Sequence, residues 1–420
     1  MTPLENQTVQ KISAPFFQDF IRDFFDRKHI FLDAAQQFGS PLYILESDVL
    51  RDRAKAFRQA FEKDLPETAF YFAMKSNNLP HVSKIMIEQG FGIDVSSGLE
   101  LATALKLNAE NIIFSGPGKT DPELEKAIEH NDRVTVLIDS PGELKRLKSI
   151  LEIKKKVLNI GVRINCNPEG LWRKFGISLE ELNPFYEAVK KSPYLNFSGL
   201  QFHSSWNLFP DRQVEFIGTL GNQLGQMPKD FLKSIQFLDI GGGYWPPQGE
   251  WTLSDTALSY LKAPAAPIEF FAQHITGAIK DNIFPLIPCK ICFEPGRWIC
   301  NDAMHILLKI IDRKANDLVI TDAGTNTIGW ERFETDYFPV LNLTRSAMTQ
   351  QPCHILGSLC TPHDVWGYAY FGEDICENDI LLIPTQGAYT YSLRQQFIKP
   401  LPKVVILDRS GSACIEESVD

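Results

Sequence analysis

Eight short β-rich runs alternate with stretches of helical period through the middle of this 420-residue sequence. The runs are Ala69–Met74, Phe91–Val95, Ile112–Ser115, Val134–Ile138, Leu158–Asn165, Phe197–His203, Ile235–Ile240 and Cys289–Glu294. Between them lie helix-like stretches such as Pro80–Gln89, Leu99–Leu107, Pro122–Glu129, Gly142–Leu151 and Pro267–Ile279. Thr120 and Asp121 suit the cap of the third, and Pro122 suits its first turn. Strands that are mostly continuous apolar runs, each followed by a helix, form parallel β-sheet through right-handed βα units. Eight such units over roughly 230 residues have the size of a (β/α)8 barrel. After Glu294 the pattern changes. Met304–Ile311, Leu318–Thr321, Ile380–Pro384 and Val404–Leu407 are strand-like and separated by turns, which predicts a mostly antiparallel second domain.

Composition bounds the function. Forty-two basic residues against fifty-two acidic give a net charge of −10, with no basic block, so nucleic acid is not an expected partner. No apolar run approaches the ~20 residues that span a bilayer. Met1–Phe25 mixes Glu5, Lys11, Asp19, Arg22 and Asp23 among its apolar residues, unlike a signal peptide. The eight cysteines are too sparse for a disulfide framework. They read as reduced thiols of a cytoplasmic protein. A chain this long has room for two domains.

In a barrel, chemistry gathers at the carboxyl ends of the strands. The polar residues predicted there are Lys75, Asp94, Ser115, Arg163, Asn165, His203, Gly241–Gly243, Glu294 and Arg297. Lys75 ends an apolar strand, where partial desolvation yields an amine nucleophile of the kind a Schiff base requires; a lysine snorkelling into solvent has the same signature. Three glycines after the seventh strand let backbone N–H groups approach an anion, or simply make a tight turn. Glu294 can hold a protonated heteroaromatic nitrogen and Arg297 a phosphate; a salt-bridged turn is the plainer alternative. His203 suits a base, a ligand or a flat stacking surface. Cys289 and Cys292 form a lone CxxC on a strand with no second pair, so no metal site is expected.

Taken in order, these residues resemble a family. Phe72-Ala73-Met74-Lys75-Ser76-Asn77 resembles the lysine motif of fold-type III pyridoxal-phosphate decarboxylases, a group similar in fold to alanine racemase that includes the ornithine, arginine and diaminopimelate enzymes. Asp94–Glu100, Lys174–Ile177, Phe202-His203, Gly241–Gly243, Glu294–Arg297, Cys360–Asp364 and Gly387–Tyr389 resemble its later landmarks, in register along almost the whole chain. The resemblance implies pyridoxal 5'-phosphate held by Lys75, with Glu294 at the pyridine nitrogen and His203 stacked on the ring. It implies Gly241, Gly242, Gly243, Arg297 and Tyr389 at the phosphate, with Asp94, Glu100, Arg163 and Gly296 completing the cofactor set. Cys360 would protonate the product carbon with Asp364 beside it, both reaching across from a second subunit, so that a homodimer shares its active sites. It also implies that the β domain is completed from the N-terminus: residues 46–285 as barrel, residues 1–45 with 286–420 as β-rich domain.

Three departures from the family bear on substrate. Trp206 stands where a phosphate-binding serine is usual. Thr361 and Pro362 follow Cys360 where diaminopimelate decarboxylases carry a glutamate that reads the distal amine. The segment Thr325–Arg332 lacks the carboxylate-gripping Arg-Pro element. The Cys-Thr-Pro-x-Asp pattern resembles decarboxylases of siderophore and other secondary pathways, whose amino-acid substrates are joined to a larger group. Trp172, Trp206, Trp245, Trp330 and Trp366 can shape such a pocket or simply pack a core. The function expected is decarboxylation of an amino acid, either a free basic one or one conjugated to a larger group. A racemase would need a tyrosine where Cys360 stands, and a non-catalytic homologue would not need intact Lys75, Glu294 and Cys360.

Overall fold

The structure, a computed structural model, describes residues 10–253, 260–329, 336–408, 411 and 413–415. Trp330, Glu331 and Arg332 lie outside the described residues. The chain divides into two compact units, Arg53–Pro247 with Ala265–Trp298, and Met1–Asp52 with Gln248–Pro264 and Ile299–Asp420.

The first unit is a closed barrel of eight parallel strands: β1 (Thr68–Ala73), β2 (Gly92–Val95), β3 (Ile112–Phe114), β4 (Val134–Ile138), β5 (Leu158–Ile164), β6 (Leu195–Phe202), β7 (Phe237–Asp239) and β8 (Lys290–Phe293). Each pairs with its sequence neighbours, and β8 closes the ring on β1. All eight expected strands are present to within a few residues. Side chains of β2, β3 and β4 are almost wholly buried, as strands covered on both faces must be. The intervening helices start at capped turns. Ser97 accepts the N–H of Glu100, Ser140 accepts that of Glu143, and the Glu123 carboxylate takes the N–H of Thr120. The boundary expected at residue 285 needs correction. It would cut off β8, whose hydrogen bonds to β1 and β7 complete the barrel.

The second unit is a nine-stranded, mostly antiparallel sheet. Its order is Leu318–Thr321, Gln350–Leu356, Val365–Phe371, Leu341–Asn342, Ile380–Ile383, Met304–Ala315, Leu42–Glu46, Lys403–Leu407 and Ala413–Ile415. Leu42–Glu46 is antiparallel to Met304–Ala315 and parallel to Lys403–Leu407, so a strand from before the barrel sits inside the sheet built after it. Two helices, Ala14–Asp26 and Lys28–Phe38, set Phe17, Ile21, Phe24 and Phe31 into one apolar cluster with Leu42, Ile44, Leu307, Leu382 and Val405. Residues 248–264 were expected in the barrel and belong here instead. Glu250–Leu253 pairs with Tyr260–Ala263, which pairs with Gln10–Lys11, and this small sheet carries Trp251 into the same cluster.

Candidate active site

The carboxyl ends of the barrel strands bring together Lys75, Asp94, Ser115, Arg163, His203 and Glu294. Lys75, two residues past β1 in the turn Met74–Ser76, places its Nζ 2.7 Å from Asp94 Oδ2 at the end of β2. Asp94 is fully buried, while about a third of the Lys75 side chain is exposed. Ser115, just past β3, donates to Asp94 Oδ1 at 2.6 Å. Each oxygen of Asp94 thus has a donor, and the one cation it holds is the lysine that faces the opening. Glu100, on the first turn of the helix Gly98–Lys106, accepts the Ser96 N–H at 2.7 Å, and burial holds its carboxyl above the usual range.

The strands on the other side of β1 carry two further acids. Glu294 follows β8 and is buried; Gln201 of β6 donates to its two oxygens at 3.4 and 3.3 Å. Burial pushes Glu294 well above an ordinary carboxylate, and the neighbouring charges of Asp239 and Asp94 push the same way. Asp239, the last residue of β7, is also fully buried and raised by the same desolvation. Asp239 and Gln201 are site residues that do not stand out among the polar strand ends of the sequence. Both were legible from register, because Gln201 and Asp239 stand opposite each other on adjacent parallel strands at the active end.

His203 Nδ1 accepts the N–H of Gly242 at 3.1 Å, and its Nε2 lies 3.1 Å from Ser205 Oγ. A ring nitrogen that accepts a backbone N–H carries no proton, so the imidazole is neutral with its hydrogen on Nε2. Burial, with the cations Arg163 and Lys75 adding to it, holds its pKa well below the usual value. Arg163 of β5 is buried with its guanidinium 4.4 Å from the Phe175 ring. Gly241 and Gly243 have φ of 67° and 84°, and a Cβ on Gly242 or Gly243 would collide with the carbonyl oxygens of Glu294 and Ser204. Only glycine lets this backbone lie so close to the neighbouring loops. Gly296 approaches as tightly, since a Cβ there would stand 2.8 Å from Ser76 Oγ, and Pro295 accepts the Ala73 N–H at 3.2 Å. The lysine turn and the Glu294 turn are therefore joined. Arg297 starts the helix Arg297–Cys300 with its guanidinium 4.5 Å from the Trp245 ring. Trp206, at φ 54°, is about half exposed beside His203.

Cys360, Asp364 and Tyr389 belong to the second unit. Cys360 is exposed on the loop between Gln350–Leu356 and Val365–Phe371. Asp364 is buried and fully engaged, its Oδ1 accepting the Thr325 N–H at 2.6 Å and its Oδ2 the Leu359 N–H at 2.7 Å. Its carboxylate organises the cysteine loop. Tyr389 is half-buried with φ 59°. Trp366 is buried and donates to the Ala323 carbonyl, while Trp172 packs near Phe175. A cavity of about 420 Å³ in this unit adjoins the cysteine loop at Pro362 and His363 and is walled by Tyr260, Tyr337, Tyr368 and Thr325. Among the described residues no group of three or more His, Cys, Asp or Glu is placed to hold a metal ion, and no helix is long and apolar enough to cross a membrane.

Comparison with known proteins agrees with this geometry. Residues 48–301 match the family described as pyridoxal-dependent decarboxylase, pyridoxal binding domain. A diaminopimelate decarboxylase of Methanothermobacter thermautotrophicus is 28% identical over 90% of this chain and 88% of its own. An L-glutamyl-[acyl-carrier protein] decarboxylase of Niallia circulans is 25% identical over 90% of each. The crystal structure of a diaminopimelate decarboxylase mutant from Helicobacter pylori complexed with L-lysine shares the fold with a TM-score of 0.77, at 22% identity over 92% of this chain and 95% of that one.

Proposed function

The chain belongs to the pyridoxal-dependent decarboxylases, and on that premise we propose that it removes CO2 from an amino acid whose α-amino and α-carboxyl groups are free and whose far end is joined to a larger group. The coarser activity, decarboxylation of an amino acid with pyridoxal 5'-phosphate, follows from the family. The cofactor asks for an amine, an acid for its ring nitrogen and N–H groups for its phosphate. Lys75 at the barrel opening, the buried Glu294 and the glycine backbone at Gly241–Gly243 fit those demands. When bound, the cofactor supplies a protonated ring that accepts the electron pair freed as CO2 leaves.

The chain's own residues then have separate tasks. Lys75 would hold the cofactor, with Asp94 beside it. Glu294 would meet the ring nitrogen. His203, neutral and fixed by the Gly242 N–H, offers a flat uncharged face. Gly241, Gly242, Gly243, Arg297 and Tyr389 hold the phosphate, with Ser205 now the hydroxyl nearest His203 where Trp206 replaces a serine. Arg163, Glu100 and Gly296 shape the pocket around them. Cys360 carries the proton that replaces CO2, and Asp364 positions its loop. An exposed cysteine that acts on a partner's barrel makes the enzyme a homodimer; sedimentation at twice the chain mass supports this and a monomer refutes it. Eight cysteines, none in a disulfide among the described residues, favour a cytoplasmic setting.

The observation that carries the reading is the Lys75–Asp94 ion pair at one rim with the buried Asp239 and Glu294. For the conjugated substrate, support comes from Thr361–Pro362 in place of an amine-reading glutamate and from the tyrosine-walled cavity beside that loop. The Niallia circulans relative, named for a carrier-linked glutamyl substrate, favours the same reading. The test is CO2 release from lysine, ornithine, arginine, meso-diaminopimelate and citryl-diaminopropionate-type conjugates in both configurations, with the amine identified by mass. Conjugates are expected to exceed every free amino acid by at least about tenfold in kcat/KM, or ~1.4 kcal/mol. Fastest release from free meso-diaminopimelate would sink the conjugate reading, and inversion without CO2 would sink decarboxylation.

A further inference from the structure

Asp239 and Glu294 stand on adjacent strands of the barrel, one ending β7 and one directly following β8, and both are buried. Asp239 Oδ1 accepts the N–H of Gly241 at 2.8 Å. Among the described residues no N–H or hydroxyl donor reaches its buried Oδ2, and Gln201, which stands opposite Asp239, reaches across to both oxygens of Glu294, so the two buried carboxyls lie together. Two ionised carboxylates are acceptors only and repel each other, so a buried pair side by side keeps a proton between them. His203 does not supply it. Its Nδ1 lies 4.0 Å from Glu294 and already accepts the Gly242 N–H. The other groups facing the pair are Tyr71 from β1, Lys75, Asp94 from β2, Arg163 from β5, Cys292 from β8 and Tyr244 beyond the glycine loop. Asp94 adds a third negative charge, which favours retention of the proton.

We propose that Asp239 is a positioning residue that works in its protonated form, keeping the shared proton and donating it to Glu294 while Glu294 ionises toward a cationic ring nitrogen. This rests on Glu294 facing that nitrogen. The acid nearer the cation is the one that ionises, and Asp239, one step further away, retains the hydrogen. In that state Asp239 is one acceptor toward Gly241 and one donor toward Glu294. A protonated acid and an asparagine amide share this pattern, whereas an aspartate does not.

The test compares Asp239→Asn with Asp239→Ala, titrating the cofactor-free chain with pyridoxal 5'-phosphate and following the visible band and its position. Asp239→Asn is expected to bind within about threefold of the parent with an unchanged band. Asp239→Ala leaves the Gly241 N–H and Glu294 without their partner and is expected to weaken binding by about 10- to 100-fold, with a displaced band. Asp239→Leu replaces the alanine variant if that one does not fold, as judged by circular dichroism. Equal losses in the asparagine and alanine variants would mean an ionised Asp239 and overturn the proposal, as would an alanine variant that binds like the parent. Glu294→Gln separates the premise: an unchanged band there refutes Glu294 as the ring partner, whatever Asp239 does.

Discussion

Single side chains here are decided by whether burial or a charged partner prevails, and Glu46 is the clearest case. Burial alone would raise its pKa, but the hydrogen bond from His305 at 2.8 Å, and the hydrogen bond and charge of Arg27 at 2.5 Å, bring it from 4.5 down to about 2. A carboxyl depressed in the folded state binds its proton more tightly when unfolded. Its contribution is therefore fully present above about pH 4.5 and is lost as pH falls through 2. The shift corresponds to roughly 3 kcal/mol at neutral pH. Glu46→Gln is expected to lower the unfolding free energy by about that much at pH 7 and to flatten the acid limb below pH 4.5, measured by urea titration across pH. A variant with the parent's acid limb would refute the triad. At this scale the sequence singled out Lys75, His203 and Glu294 because they are unusual residues at strand ends, and the barrel does bring them to one end. Its silence on Asp239 has a physical cause: an acid before a glycine triplet also fits a turn, and only the fold sets it against Glu294.

Elements were the most legible level. The barrel strands are continuous apolar runs and each is punctuated by glycine, proline or a cap, so local preference and tertiary role agree. The helices Ala14–Asp26 and Lys28–Phe38 went unread although Phe17, Ile21, Phe24 and Phe31 repeat at helical spacing, because the charged residues among them served only to exclude a signal peptide. The excursion 248–264 was unreadable in principle, since its strand Tyr260–Ala263 pairs with Gln10–Lys11 more than 200 residues away. Between elements, one buried ion pair went unnoticed. Lys119, after β3, donates to Glu143 at 2.9 Å and to the Gly116 and Leu137 carbonyls at 2.8 Å each, tying the β3 loop to β4 and to the helix Pro141–Lys154. Burial lowers the Lys119 pKa and raises that of Glu143, with the pair's mutual attraction opposing both shifts. Lys119→Met leaves a buried acid unpaired and is expected to cost about 3–5 kcal/mol. Adding Glu143→Leu should recover most of it, as thermal unfolding of both variants would reveal. A double variant no better than the single would contradict this account.

For the whole molecule, the order of the landmarks along the chain carried more than any of them alone. Lys75, His203, the glycine triplet and Glu294 are each ambiguous, yet the barrel brings them to one end. Substrate choice was less legible because Thr361 and Pro362 stand where the resemblance expects a recognisable charge and offer none. The central claim, that Lys75 holds pyridoxal 5'-phosphate, is tested most directly by reducing the loaded protein with sodium borohydride and mapping the modified peptide by mass. A single cofactor adduct per chain on Lys75, absent from Lys75→Ala, is the predicted result; an adduct on another lysine, or equal labelling of the variant, would contradict it.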